Sequence, residues 1–249
     1  MSIWDTYKSR VCIQGSTKRE AALIRTARRL SDRLPDSLSY HSVLINGEER
    51  LAVIDDSDNF NEKIMHSLPG EDFVCGELVE WANNHWLITE KDANTELRTK
   101  VKLLQCNHLL KWIDDDHEIH EQWCVVEDGT KYLTGEYEDR DFFVTRGDSR
   151  IAMTIGRNPD TIKFTRKNRF LIDDPESSEM NSYQLTKLLK AGKTYNNAGV
   201  YSFVLQEVVS TDNDNFELGI ADYYLHFPKD TTSDNTQSGS SPTDKKGWL

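Results

Sequence analysis

After Ser37 the chain changes rhythm, and this change limits its fold more than any single motif does. Apolar and polar residues alternate with period two in segments too short for helices, and turn-forming residues cut the alternation at frequent intervals. Period-two alternation turns one face of a strand to a core and the other to water, so the body must be antiparallel β structure. His41 to Ile45, Asn46-Gly47 and Glu48 to Ile54 read as a hairpin, because Asn-Gly accepts the positive φ angles of a type I′ turn. Lys63 to Leu68 is a further strand, closed by Pro69-Gly70. Leu78 to Trp81 and His85 to Thr89 form a second hairpin about Asn83-Asn84, and Thr99 to Ile113 with Glu118 to Val126 a third. Residues 39–127 therefore read as a small antiparallel β-barrel.

Asp128-Gly129 is the expected boundary. Beyond it come Phe142 to Thr145, Ile151 to Ile155, Thr161 to Phe164, Arg169 to Ile172, Tyr183 to Leu189 and Val200 to Val209, each bounded by turn residues. That spacing over residues 128–228 is the pattern of an immunoglobulin-like β-sandwich. Residues 229–249 are rich in Ser and Thr, contain Gly-Ser-Ser-Pro, and read as a flexible polar tail with Trp248 and Leu249 at its end. The expected fold class is mainly β: an N-terminal α-helix, a small barrel, a sandwich and a tail.

The segment 1–38 is the exception to the β pattern. Leu23, Ala27, Leu30 and Leu34 recur at helical spacing, Ser16 or Thr17 can cap the first amides, and Pro35 supplies the stop. Lys18, Arg19, Arg25, Arg28, Arg29 and Arg33 give Ser16 to Leu34 a net charge of +4 within a chain of net charge -12. The remainder is therefore near -16, which excludes a general binder of nucleic acid or anionic membrane, since each needs a positive field. Two readings of the helix stand side by side: a solvated cationic face, or a docking element for an acidic partner or nucleic-acid phosphate. No apolar run approaches the length of a membrane span, residues 1–15 lack a signal-peptide core, and four cysteines without C-x-x-C spacing read as free thiols.

Metal-ligand chemistry concentrates between Cys106 and Cys124. A turn centred on Asp115 would set Cys106 opposite Cys124, and would put Cys106, His108, His120 and Cys124 on one face of the ribbon, an acceptable zinc set by type. A flat ribbon cannot close its ends around one ion, because diagonal neighbours are already ~7–8 Å apart. The expectation is a hairpin whose aspartates make the turn, with no metal, no cofactor and no catalytic group. Ala191-Gly192-Lys193-Thr194 lacks the earlier glycine of a phosphate-binding loop, since position 187 is Lys187, and reads as a turn. Trp81, Trp86, Trp112 and Trp123 read as core rings; exposed, they would suit a carbohydrate-binding or receptor-binding module.

The run Leu78-Val79-Glu80-Trp81, His85-Trp86-Leu87-Ile88-Thr89-Glu90-Lys91-Asp92 and Leu103-Leu104-Gln105-Cys106-Asn107 resembles the barrel domain of head-closure (stopper or neck) proteins of tailed bacteriophages. Over residues 1–226 the chain is also similar to uncharacterised virion proteins of Firmicutes phages and prophages. In those, Asn168-Arg169-Phe170-Leu171-Ile172-Asp173 and Gly219-Ile220-Ala221-Asp222-Tyr223 are typical of the second domain. The resemblance implies a non-enzymatic structural virion protein, assembled in the bacterial cytoplasm. It implies a homo-oligomeric ring, sixfold or twelvefold, between portal or adaptor and tail proteins, near virion DNA and away from membranes. Tail-terminator, baseplate and capsid-decoration roles belong to the same resemblance.

Overall fold

The hairpins foreseen from turn chemistry are present in the computed structural model, which describes residues 3–5, 7, 17–93, 96–128, 149–173 and 180–228. The expected tail at 229–249, the strand at 142–145 and Cys12 lie outside those residues. Helix α1 (Lys18–Arg33) is followed by a single 3₁₀ turn over Leu34–Asp36. Strands β1 (Tyr40–Ile45) and β2 (Glu48–Asp56) join through Asn46 and Gly47, whose φ angles of 50° and 83° make the primed turn. β3 (Glu62–Ser67), β4 (Leu78–Trp81), β5 (Asn84–Lys91) and β6 (Lys100–Gln105) follow. The β4–β5 turn falls on Ala82 and Asn83, one residue earlier than the sequence suggests, because Trp81 pairs with Asn84.

These six strands close into a barrel of order β1-β2-β3-β6-β5-β4, sealed where Leu44 and Ile45 of β1 pair with Glu80 and Val79 of β4. Alternate residues point inward: Val43 and Ile45, Ala52 and Ile54, Met65, Val79, Trp86 and Ile88, Val101 and Leu103. Phe73, from the β3–β4 loop, is fully buried in the same core. Each of the larger aliphatic side chains, and Phe73, contributes roughly 1.5–3 kcal/mol by leaving water.

The expected boundary at 127/128 moves to a single peptide bond. The Cys106 N–H donates to His85 O in the barrel (2.8 Å), while the Asn107 N–H donates to Cys124 O (3.2 Å). The Asn107 side chain also donates to Val126 O (2.7 Å) and accepts from Val126 N (2.8 Å), imitating one rung of a ladder. β7 (His108–Ile113) and β8 (Ile119–Asp128) therefore belong to the second unit. With β9 (Arg150–Gly156), β10 (Arg169–Leu171), β11 (Ser182–Tyr195) and β12 (Ala198–Val208) they form one antiparallel sheet, β10-β11-β12-β9-β8-β7. The sheet curls until β10 lies against β7, so the two faces expected of a sandwich are two halves of one curled sheet. Its core holds Leu110, Trp112, Cys124, Met153, Ile155, Phe164, Phe170, Leu185, Tyr201, Phe203 and Leu205. A one-turn helix α2 (Pro159–Ile162) closes one end, capped by the Asn158 side chain, and α3 (Tyr223–His226) follows the sheet.

The two units meet along the outer face of β4–β6. Leu87, Cys106, Val125 and Val200 are buried there, and His85 stacks on Trp123 with centroids 4.2 Å apart. Beside this apolar patch the backbones touch. A Cβ on Gly76 (φ 94°) would lie 2.2 Å from Gly199 O, and one on Gly156 would lie 2.2 Å from Gly76 O. Gly76→Ala should therefore cost about 3 kcal/mol, from crowding added to positive-φ strain. Gly47→Ala, at φ 83° with nothing within 4 Å, carries only the strain, about 1 kcal/mol. Urea denaturation of both variants checks this; equal losses would show that crowding does not hold the seam.

Candidate functional site

Helix α1 starts where Thr17 accepts a hydrogen bond from Glu20 N at 3.1 Å. Lys18, Arg19, Arg25, Arg28, Arg29 and Arg33 are all exposed, while Leu23, Ala27, Leu30 and Leu34 are half-buried and Ala21 is buried. The helix makes only scattered contact with the β body. Arg19 pairs with Glu96 of the β5–β6 loop; Lys18, Arg25, Arg28, Arg29 and Arg33 make no ion pair among the described residues. The structure exposes this cationic face, and among the described residues only Arg19 of it meets a carboxylate.

The Cys106–Cys124 stretch is a hairpin, shifted by two residues from the expected register: His108, not Cys106, lies opposite Cys124, and Trp112 lies opposite His120. Parity survives the shift, so the same face points inward. Cys124 sits in the second core and Cys106 in the seam between units, so the four zinc-type residues do not converge. Burial pushes the Cys106 thiol up to about 12, and raises Cys124 also. Cys75, Cys106 and Cys124 are free thiols.

The tip of that hairpin holds a polar cluster the sequence reading treated only as a turn. Asp114 Oδ1 accepts from Asp116 N and Glu118 N, both at 3.0 Å, which folds the turn and leaves His117 at φ 65°. Its other oxygen faces His120 Nε2 at 3.1 Å and Lys163 Nζ at 3.2 Å. His120 Nδ1 lies 3.5 Å from Asp160 and the ring stacks on Trp112. The Glu118 N–H bond, followed by His120 and Lys163, holds the Asp114 carboxyl well below the usual range against the opposing effect of burial. Asp114, Glu118 and His120 lie close enough to share an ion. Lys163 already supplies a positive charge at Asp114, and the turn amides occupy its other oxygen. The cluster's work is to tie the β7–β8 turn to α2.

A second network joins the two motifs that the phage resemblance singled out. Arg169, at the start of β10, donates to Asp222 Oδ1 (2.6 Å) and to both oxygens of Asp214 (3.0 and 2.9 Å). Asp214 also accepts from Thr211 N (2.8 Å) and Asp222 N (2.9 Å). Burial raises the Asp214 carboxyl, but these amides and Arg169 outweigh it and hold it low. The clasp fastens residues 209–228 to the sheet edge. Sequence alone could not find it, because its partners lie 45 and 53 residues from Arg169.

The remaining sequence candidates find places in the framework. Ala191-Gly192-Lys193-Thr194 lies inside β11, at an irregularity of pairing between Leu189 and Lys193, and is not a turn. Long strands admit such bulges, so turn-type residues alone mislead. Lys190 bends there to donate to Ile162 O and Phe164 O (2.6 and 2.8 Å). Trp86 is 4% exposed in the barrel core, with Trp81 packed beside it, and Trp112 fills the second core. No groove is lined by Trp81 and Trp86 together among the described pockets, as a sugar-binding platform would need.

No protein-family model and no curated protein matches the chain. Two solved structures share a distant likeness. MrkH of K. pneumonia in its apo state has a TM-score of 0.25 and 9% identity over 77% of this chain and 87% of its own. The Bacillus subtilis inhibitor of motility (MotI/DgrA) has a TM-score of 0.22 and 10% identity over 77% of this chain and 97% of its own. Likeness at these scores carries no argument about function.

Arg169→Met strands a buried carboxylate and should cost about 3–5 kcal/mol; adding Asp214→Asn should restore part of that, so the pair is non-additive. A double-mutant cycle in urea checks this. Both Asp114 and Asp214 have carboxyls depressed by folding, so their stabilisation is complete above the unfolded carboxylate value near 4 and is lost as pH falls. The urea midpoint should therefore drop below about pH 4, and less steeply in Asp114→Asn. An unchanged slope in that variant would contradict the assigned bonds.

Proposed function

We propose that this chain is a structural virion protein of a tailed bacteriophage, a ring-forming connector subunit between portal and tail. The observation that carries the reading is α1: an exposed cationic helix, lightly attached to a body of net charge near -16. A helix packs little of its own surface here, so its stripe and its charge are available to a neighbour. The acidic body suits a channel wall, because like charge keeps passing DNA from adhering. Two units locked backbone to backbone at Gly76, Gly156 and Gly199 suit a wall element that must keep its shape. The closed barrel has no free strand edge, so lateral contacts would use side chains and the helix rather than added strands.

The full-length protein should form closed rings in sedimentation velocity and negative-stain images. Mass spectrometry of purified virions from a host carrying the gene should detect it as a component. Soluble monomers only, together with absence from virions, would overturn the reading.

A further inference from the structure

We infer that α1 of one copy docks on the β2–β3 loop of the next copy, a contact that rests on the ring reading above and names its partner. Residues 22, 25, 26, 29 and 33 recur at i, i+3, i+4, i+7 and i+11, so they share one helix face. All five, Ala22, Arg25, Thr26, Arg29 and Arg33, are exposed. This face is a shallow slot: small side chains at Ala22 and Thr26, flanked by guanidinium groups. The half-buried stripe of Leu23, Ala27 and Leu30 lies on another side of the helix.

The β2–β3 loop, with the strand ends that flank it, is its complement. Asp55-Asp56-Ser57-Asp58-Asn59-Phe60-Asn61-Glu62 carries a charge of -4 against the +4 of the helix segment. Phe60, near the loop's tip, is 97% exposed, and none of the described residues covers it. An aromatic ring among carboxylates matches arginine on both counts, since guanidinium pairs with carboxylate and stacks on a ring face. Phe60 would seat over Ala22 and Thr26, with Asp56 and Asp58 turned to Arg25, Arg29 and Arg33.

Within one copy the two surfaces do not meet. The loop's ion pairs go to Lys63, Lys102 and His66, and none goes to α1. The anchored start of the helix, Arg19 on Glu96, belongs to the β5–β6 loop. That loop lies at the opposite end of the barrel from the β2–β3 loop, since β3 and β6 run antiparallel with Glu62 beside Leu104. Helix and loop are different patches of one surface, so pairing them between copies is head-to-tail, the geometry that closes rings.

The test uses the full chain with two reversals: Arg25→Glu with Arg29→Glu in the helix, and Asp56→Lys with Asp58→Lys in the loop. Melting curves confirm that both variants fold. In sedimentation velocity the wild type should assemble, less so at high salt. Each reversal alone should weaken self-association at least tenfold, and Phe60→Ala, a mild change at an exposed site, should do the same. The decisive arm mixes the two reversal variants. Each keeps one intact patch, and the two reversed patches are opposite in charge to each other, so the mixture should recover assembly that neither variant shows alone.

A monomeric wild type, variants that assemble like it, or a mixture that stays monomeric would each overturn the contact. Loss of binding to an acidic portal or adaptor protein in the helix variant, with self-association intact, would also overturn it while leaving the ring reading in place. Assembly through this contact by a protein absent from virions would do the reverse.

Discussion

The architecture depends on the place where Gly76, Gly156 and Gly199 let three backbones touch. A Cβ on Gly76 or Gly156 would lie 2.2 Å from a carbonyl oxygen of the other unit, and one on Gly199 would lie 2.1 Å from Lys193 O of its own sheet. With hydrogen there, the Arg157 N–H reaches Gly199 O at 3.0 Å and the Gly76 N–H reaches Ile88 O at 2.8 Å. The apolar patch of Leu87, Val125 and Val200 then closes over Cys106. Each unit has its own core, so either core sets only its own sheet. Their mutual position is fixed by close approach at the seam, and close packing tolerates little displacement.

The polar residues divide by what surrounds them. Those at the curled sheet's end are spent on geometry: Asp114 shapes a turn, and Asp214 and Arg169 fasten the segment that follows β12. A buried ion pair is worth keeping only when its remaining hydrogen-bonding groups are satisfied, and Asp214 meets this with two backbone amides besides the guanidinium. The cations of α1 are different in kind. They stand in solvent, where long side chains lose little by waiting for a partner, and they concentrate the positive charge of an otherwise acidic chain.

What was legible in the sequence was local. Asn46-Gly47 announced its hairpin, because only residues tolerant of positive φ fit a two-residue turn. Thr17 and Pro35 bracketed α1, and alternation gave the inward face of the barrel. The boundary between units was not legible, because Thr99 to Ile113 reads as one apolar-rich run while its strands serve two different sheets. Nothing in residue type marks Cys106 and Asn107 as the exchange point; it is made by hydrogen-bond partners from β5 and β8. The register of β7 on β8 was missed by two residues for a related reason. Asp114 accepts both amides that tighten the turn, which moves its centre one residue toward the C-terminus. The Arg169 clasp and the glycine seam are contacts between distant segments, and a sequence read in order cannot show them.

The handover at Cys106 and Asn107 also sets an order in time. Every strand of the barrel comes from residues 40–105, an unbroken stretch with no contribution from later sequence. During synthesis, domains nearer the N-terminus fold first, so the barrel can close while β8 is still within the ribosome. Asn107 then emerges with its amide and side chain unmatched and waits for Val126. The nascent chain therefore carries a finished template whose β4–β6 flank, still wet, is the surface on which the second sheet assembles.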